Sequence, residues 1–263
     1  MTSELLSKTR AAKPVDAITT LASPWCLFLD VDGTLLEIAA TPDAVRVDSG
    51  LVDLLRRLRY ACGGALALIS GRPIAELDRL FEPLHLAVAG VHGFERRNAQ
   101  GEWFRPNFIG TGINYLRNEM KQLADSLHGA LLEDKHCAFA LHYRQAPHLQ
   151  ETINLRLARL VAASSPAFEL IDGDHVVEIK PIEHNKATAI EAFMQEEPFA
   201  GRTPIFIGDD STDLDGFAAV RHFDGLAIAV GSRVSAEKHL AGPVEVRAWL
   251  SQLLSDSWQP RAA

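Results

Sequence analysis

Trp25-Cys26-Leu27-Phe28-Leu29-Asp30-Val31-Asp32-Gly33-Thr34 runs from five apolar residues straight into two carboxylates, a glycine and a threonine. A buried strand that ends on an acidic turn presents its first carboxylate at the carboxyl edge of an open α/β sheet, where such sheets hold ligands. Asp30 is then placed as a nucleophile, and Asp32, two residues on, as a proton donor and later a base. Displacing an alkoxide from a phosphate monoester asks for both groups: an attacking oxygen, and a proton for a poor leaving group. Gly33 supplies backbone freedom for a tight turn and Thr34 a hydroxyl behind it. Any two of these positions occur together in ordinary polar turns; all four in a row point to chemistry.

Three further fragments follow in chain order. Ser70-Gly71-Arg72 closes the apolar run Ala65 to Ile69 and precedes Pro73, a residue suited to a first helical turn. A serine hydroxyl and backbone N–H groups at a helix start bind phosphate oxygens, although a serine there also serves as a plain cap. Lys186 stands in Glu183-His184-Asn185-Lys186, ahead of the apolar face Ala189, Ile190 and Phe193. A lysine there can pair with both a nucleophilic carboxylate and a transferring phosphoryl group. Gly208-Asp209-Asp210-Ser211-Thr212-Asp213 ends the apolar run Ile205 to Ile207. Bringing these carboxylates beside Asp30 costs on the order of 4 kcal/mol per like-charged pair at about 4 Å, with an effective dielectric of about 20. A cation is therefore required. Oxygen ligands with room for waters suit Mg²⁺ rather than zinc, and no Cys/His cluster competes.

The balance of 26 basic against 34 acidic side chains in 263 residues gives a formal net charge of -8. That argues against a nucleic-acid surface and leaves phosphate affinity to local groups. Cys26, Cys62 and Cys137 lie in or beside apolar runs without pairing or metal spacing, and read as buried thiols of a reducing compartment. Met1 to Lys13 mixes charges with no continuous apolar stretch, so neither a secretory signal nor a membrane span is expected, and a cytoplasmic location is the default.

Strand-like runs at Trp25 to Leu29, Ala65 to Ile69, Leu86 to Ala89, Ile205 to Ile207 and Ala227 to Val230 alternate with helical patterns. Leu51, Leu54, Leu55 and Leu58 share one helical face, as do Ile74, Leu77 and Phe81, and Val246, Trp249, Leu250, Leu253 and Leu254 a closing one. The alternation predicts a Rossmann-like parallel sheet with helices on both sides. Between Phe108 and Lys180 the texture changes to helix, strand, strand, helix, strand, strand, which predicts an inserted α/β cap. Ile113, Leu116, Met120, Leu123 and Leu127 form one amphipathic face there, and Leu149, Ile153, Leu157 and Leu160 another. Cys137, Phe139, Leu141 and Tyr143 alternate with Ala138, Ala140, His142 and Arg144, as in a strand with one covered face. Asp172-Gly173-Asp174 signals a hairpin. The organisation expected is an arm or helix over 1–22, a core of 23–108 and 181–263, and a cap over 109–180.

Lined up, these fragments resemble the haloacid dehalogenase-like phosphatases, and within them the trehalose-6-phosphate phosphatase family, over roughly residues 25–235. Gly90-Val91-His92-Gly93-Phe94-Glu95-Arg96 looks like the family's segment after its third core strand. Glu133-Asp134-Lys135 with Leu141-His142-Tyr143-Arg144 looks like the cap signature, and Val177-Glu178-Ile179-Lys180-Pro181 like the return to the core. The resemblance implies a nucleophile at Asp30, a general acid/base at Asp32, and phosphate binding by Ser70, Gly71, Arg72 and Lys186. It implies Mg²⁺ on Asp30, the Asp32 carbonyl and Asp209, with Asp213 supporting, and sugar contacts from His92, Gly93, Glu133, Lys135, Arg144 and Glu178. The implied activity is Mg²⁺-dependent hydrolysis of trehalose 6-phosphate, served functionally by a trehalose-6-phosphate synthase. Another sugar phosphatase, acting for example on sucrose 6-phosphate, and a non-catalytic phosphosugar sensor remain alternatives, but a sensor has no use for Asp32. Two positions depart from the family pattern: Glu183-His184 where a glycine is usual, and Leu214 where an acidic residue is common.

Overall fold

Strand β1 (Trp25–Leu29) buries Cys26, Leu27, Phe28 and Leu29 completely, as a strand covered on both faces must. In this computed structural model, which describes residues 24–39, 41, 44–106, 111–164 and 168–257, β1 runs through an eight-stranded sheet. The arm or helix expected over 1–22 lies outside the described residues. Beside β1 on one side are β2 (Leu66–Ile69) and β3 (Ala87–Gly90), then β4 (Glu95–Arg97) and β5 (Trp103–Phe104). On the other side, in order, are β10 (Thr203–Gly208), β11 (Leu226–Val230) and β12 (Lys238–Leu240). Six of these strands are parallel; β4 and β5 are antiparallel.

The hairpin β4–β5 and the edge strand β12 are extensions that apolar periodicity did not announce. In β4 the buried residues are Glu95, Arg96 and Arg97, and each is paired. Arg96 forks onto Glu196 at 2.9 and 2.7 Å, Arg97 onto Asp78 at 2.7 Å twice, and Glu95 accepts the Ile74 N–H at 2.6 Å. Buried charges survive only with such partners, so ion pairing holds this strand where hydrophobicity does not.

Helices cover the sheet as the periodicity predicts. Helix α1 (Ser49–Ala61) starts on Asp48, whose carboxylate accepts the Leu51 N–H at 3.0 Å, and it buries Leu51, Leu54, Leu55 and Leu58. Helix α2 (Ile74–Leu80) buries Ile74 and Leu77, and α7 (Pro243–Ser257) buries Val246, Trp249 and Leu250. Helix α5 (Lys186–Met194) contributes Phe193, which with Phe28 and Phe199 forms an aromatic cluster of centroids 5.1 to 5.9 Å apart.

The chain winds from β1 to β2 and β3 in one direction, and from β10 to β11 and β12 in the other. The strand order therefore reverses between β1 and β10, the crevice at which doubly wound sheets bind ligands. The loop after β10 leads into helix α6 (Asp213–His222), so Asp30 and Asp209 leave their strands side by side.

Between β5 and α5 lies a second, four-stranded antiparallel sheet, ordered β6 (Leu131–Asp134), β7 (Phe139–His142), β9 (Val176–Pro181) and β8 (Phe168–Gly173). Helices α3 (Thr111–Ser126) and α4 (Gln150–Ala163) pack on one face, around Leu116, Met120, Phe139, Leu141, Ile153 and Leu157. Strand β7 does not have the single covered face expected of it. Phe139, Ala140 and Leu141 are all buried, because the face away from the helices closes onto the first sheet. The hairpin turn also sits later than Asp172-Gly173-Asp174 suggests. Gly173 still pairs with Val176, and it is His175 that turns the chain, at φ 59°.

Candidate active site

Leu29 lies in register with Ile207, and the Asp30 N–H donates to the Ile207 carbonyl at 3.0 Å, which brings the two acidic loops together at the crevice. Carboxylate oxygens of Asp30, Asp209 and Asp213 converge within 4.8 Å of one another, all buried. Lys186, first residue of α5, places Nζ 2.7 Å from Asp30 Oδ1 and 2.6 Å from Asp213 Oδ1. Asp213 uses its other oxygen to accept the N–H groups of Asp209 and Asp210, each at 2.9 Å. With both oxygens engaged by the chain, Asp213 braces Lys186 and the loop, whereas Asp30 keeps Oδ2 without a protein donor. Asp209 accepts the Thr34 hydroxyl at 3.3 Å and an Arg233 N–H at 2.7 Å. Gly33, at φ +85°, is required here: a Cβ would lie 2.2 Å from Asp209 Oδ2.

Burial is the largest force raising the Asp30 carboxyl well above its ordinary range; Lys186 pulls it back, while Asp213 and Asp209 push it up. Burial and then Asp213 push Asp209 up to about 6. Burial alone would lower Lys186, but Asp213 and Asp30 outweigh it and hold the ammonium above its ordinary value. Three buried carboxylates with one ammonium among them leave net negative charge in a site of oxygen donors only, which fits a hard divalent cation.

Ser70 is buried, and its hydroxyl accepts the Arg72 N–H at 3.1 Å. It is not the cap of α2: Pro73 holds that place, and the Ile74 N–H is taken by Glu95. The helix-start donors anticipated from Ser70-Gly71-Arg72-Pro73 are thus partly consumed, and Ser70, Gly71 and Arg72 line the cavity. The Arg72 guanidinium grips Asp32 with both prongs, at 2.6 and 2.8 Å. His92 and Val91 stand at φ 54° and 47°, a conformation that costs non-glycine residues on the order of 1–3 kcal/mol each. Their N–H groups donate to the Ser70 and Arg72 carbonyls at 3.0 and 3.1 Å, which ties His92 to the loop after β2.

The second sheet faces this crevice with Glu133, Ala140 and Glu178, neighbours in register across β6, β7 and β9. The small Ala140 leaves room between two carboxylates. Lys135 Nζ lies 2.7 Å from Glu178 Oε2, and His92 Nε2 lies 3.3 Å from the same oxygen, so Glu178 links the two sheets. Burial would raise Glu178, but Lys135 drives it far below its ordinary value, and burial in turn lowers His92. The neutral imidazole then donates from Nε2, which leaves His92 Nδ1 and Glu178 Oε1 as buried acceptors without a partner. Burial would also raise Glu133, yet Lys135 and a His142 contact at 2.7 Å hold it low.

Asp30, Asp32, Ser70, Gly71, Arg72 and Lys186 thus line one cavity of about 210 Å³ with Asp209, Asp213, His92, Glu133, Lys135, Arg144 and Glu178. Gly93 does not line it. At φ +101° it sits under α5, where a Cβ would come within 2.4 Å of the Asn185 carbonyl, so it seats the helix that carries Lys186. Arg144 reaches the cavity while held by the Asp174 carbonyl and carboxylate, both at 2.9 Å. The Glu183-His184 departure does not displace Lys186: the His184 carbonyl accepts from Lys180 at 2.8 Å, and Asn185 caps α5 in a capping box with Thr188. Leu214 is 47% exposed, so its place in the acidic loop leaves the carboxylates untouched. Sequence inspection missed His142 and Arg233. His142 stood in a quoted motif and alternates onto the Glu133 face; Arg233, in Gly231-Ser232-Arg233, had no local signal.

The family model for trehalose-phosphatase matches residues 28–247. A trehalose-6-phosphate phosphatase of Escherichia coli is 41% identical over 253 residues, 95% of this chain and 94% of that protein. A probable trehalose-phosphate phosphatase of Sinorhizobium fredii is 40% identical, over 90% of each. The C-terminal domain of a C. albicans trehalose-6-phosphate phosphatase shares the fold, with a TM-score of 0.78 at 22% identity over 89% of this chain and 93% of that one. Among the described residues no helix is long and apolar enough to cross a membrane. With Asp30, Lys186 and the acidic loop at the crevice of a haloacid dehalogenase-like sheet, and with likeness along nearly its whole length, this chain belongs to the trehalose-phosphatase family.

Proposed function

We propose that this chain hydrolyses trehalose 6-phosphate to trehalose and inorganic phosphate through a phosphoryl group carried on Asp30. One observation carries the reading: the cavity that holds Asp30 and Lys186 is also lined by the charged groups Glu133, Lys135 and Glu178 of the second sheet. A phosphate end and a hydroxyl-reading end thus share one space. Sugar hydroxyls pair with these charged groups, and a substrate without them leaves the groups desolvated and unpaired.

In the first step an Asp30 oxygen attacks phosphorus and the bond from phosphorus to the sugar oxygen breaks. Asp32 gives that oxygen its proton. In the second step water attacks phosphorus, Asp32 takes a proton back, and the bond to Asp30 breaks. Lys186 and Ser70 hold the phosphoryl oxygens throughout. Arg72, bonded to Asp32 before substrate arrives, is drawn to the phosphate and leaves Asp32 free for proton transfer. Asp30, the Asp32 carbonyl and Asp209 would hold Mg²⁺, with Asp213 as the brace. Once bound, the ion offsets carboxylate repulsion and neutralises charge on the phosphate oxygens. The second sheet acts as a cap that excludes bulk water. Burial pushes the thiols of Cys26 and Cys137 up to about 12 and that of Cys62 to about 11, so all three are inert. That suits a cytoplasmic setting in which a synthase supplies the phosphorylated disaccharide.

The test is phosphate release from trehalose 6-phosphate, sucrose 6-phosphate, glucose 6-phosphate and p-nitrophenyl phosphate, with and without chelator. Preference for trehalose 6-phosphate that chelator abolishes and Mg²⁺ restores is expected. Binding without release, or a higher kcat/KM on sucrose 6-phosphate, would overturn the assignment.

A further inference from the structure

Two cations stand in the acidic site, and they are held differently. Lys186 is 3% exposed and sits between two buried carboxylates. Arg233 comes from the short loop after β11 and is 37% exposed; its Nη2 lies 2.7 Å from Asp209 Oδ2 and its Nη1 3.5 Å from Asp210 Oδ2. It lines the central cavity and also a second one beside Gly33, Glu37 and Val230, so it forms the wall between them. Removing a buried ammonium from its partners is costly, whereas a half-solvated guanidinium is rehydrated at little cost. When a divalent ion enters, Arg233 is therefore the cation that can give way.

We propose that Arg233 is a displaceable internal counter-charge of the cation site. It holds the Asp209 carboxylate when no cation is bound, yields that carboxylate when one arrives, and thereby weakens cation binding. Asp210, at the rim and 30% exposed on its side chain, gives the released guanidinium a second partner close by. The inference rests on the cation assignment made above and is independent of which sugar is bound.

The experiment is Mg²⁺ titration of substrate-free protein by calorimetry, with melting in EDTA as a second reading. Arg233→Gln is expected to tighten Mg²⁺ binding about tenfold, since it removes a like charge beside the ion. It is also expected to lower the melting temperature in EDTA by about 2–4 °C, a gap that saturating Mg²⁺ closes. Arg233→Lys, which keeps the charge, should stay within about threefold of the parent affinity. If Arg233→Gln is recovered only with cation bound, competition against a chelator from the loaded form measures the same constant. An unchanged or weaker affinity in Arg233→Gln overturns the proposal. A parent protein that binds no Mg²⁺ at all overturns it by removing the cation site itself.

Discussion

Lys186 Nζ lies 2.7 Å from Asp30 Oδ1, a contact between residues 156 positions apart that joins the start of α5 to the end of β1. Nothing on β1 could neutralise Asp30; the charge comes from a helix that enters only after the whole second sheet. The charge balance at Asp30 is therefore completed by the tertiary fold.

Lys186→Met should cost stability as well as activity. It leaves Asp30 and Asp213 buried without their ammonium, a loss of about 3–5 kcal/mol for a broken buried ion pair. Turnover should fall by a factor of about 10³ or more. Thermal melting and phosphate release measure the two, and a variant that melts like the parent would contradict the bridging role.

Asp30→Asn should abolish turnover while preserving the fold, since Lys186 keeps its contact with Asp213. Rapid quench and mass analysis of the parent should find the phosphoryl adduct on the peptide containing Asp30. An adduct on any other residue would refute the nucleophile.

Glu178→Ala removes the group that links the sheets and a charged group of the cavity wall. The expected loss is about 10²-fold or more in kcat/KM on trehalose 6-phosphate, with p-nitrophenyl phosphate within a few fold. Equal losses on both substrates would remove Glu178 from the sugar end.

In chelator, the melting temperature should fall as pH rises from about 5 to 7.5. Asp209 is raised in the folded state to about 6 from an ordinary 3.8. A carboxyl raised on folding favours the folded state while protonated and loses that advantage as pH climbs through the folded value. That advantage drains between the ordinary and the folded value, and the part lost between about pH 5 and 7.5 is on the order of 1.4 kcal/mol. Glu178 and Glu133 are lowered on folding and act oppositely, so stability also falls as pH drops below about 4.5. Saturating Mg²⁺ should flatten the upper limb; a limb that persists with Mg²⁺ bound would place the titration elsewhere.

Much of the fold was legible because its signals are short-range. Alternation of apolar runs located β1, β2, β3, β10 and β11 to within two residues, and amphipathic spacing located the faces of α1, α2 and α7. The charged strand β4 was illegible, because Glu95, Arg96 and Arg97 are buried only through Asp78, Glu196 and the Ile74 N–H. The turn at His175 was misplaced because cross-strand pairing, and not the glycine, set its position.

By itself the sequence determined which residue types stand at the strand ends: the spacing of Asp30 and Asp32, the acidic run from Asp209 to Asp213, and the order of motifs around an inserted unit. Those are properties of neighbouring residues, and spacing along the chain preserves them. Only the tertiary structure decided that Asp213 braces while Asp30 keeps one oxygen open, that Arg72 grips Asp32, that Gly93 seats α5, and that Arg233 covers Asp209. Each of these depends on which strand ends lie side by side at the reversal between β1 and β10. Charges interact through space over a few ångströms, and only folding sets that distance for residues far apart in the chain.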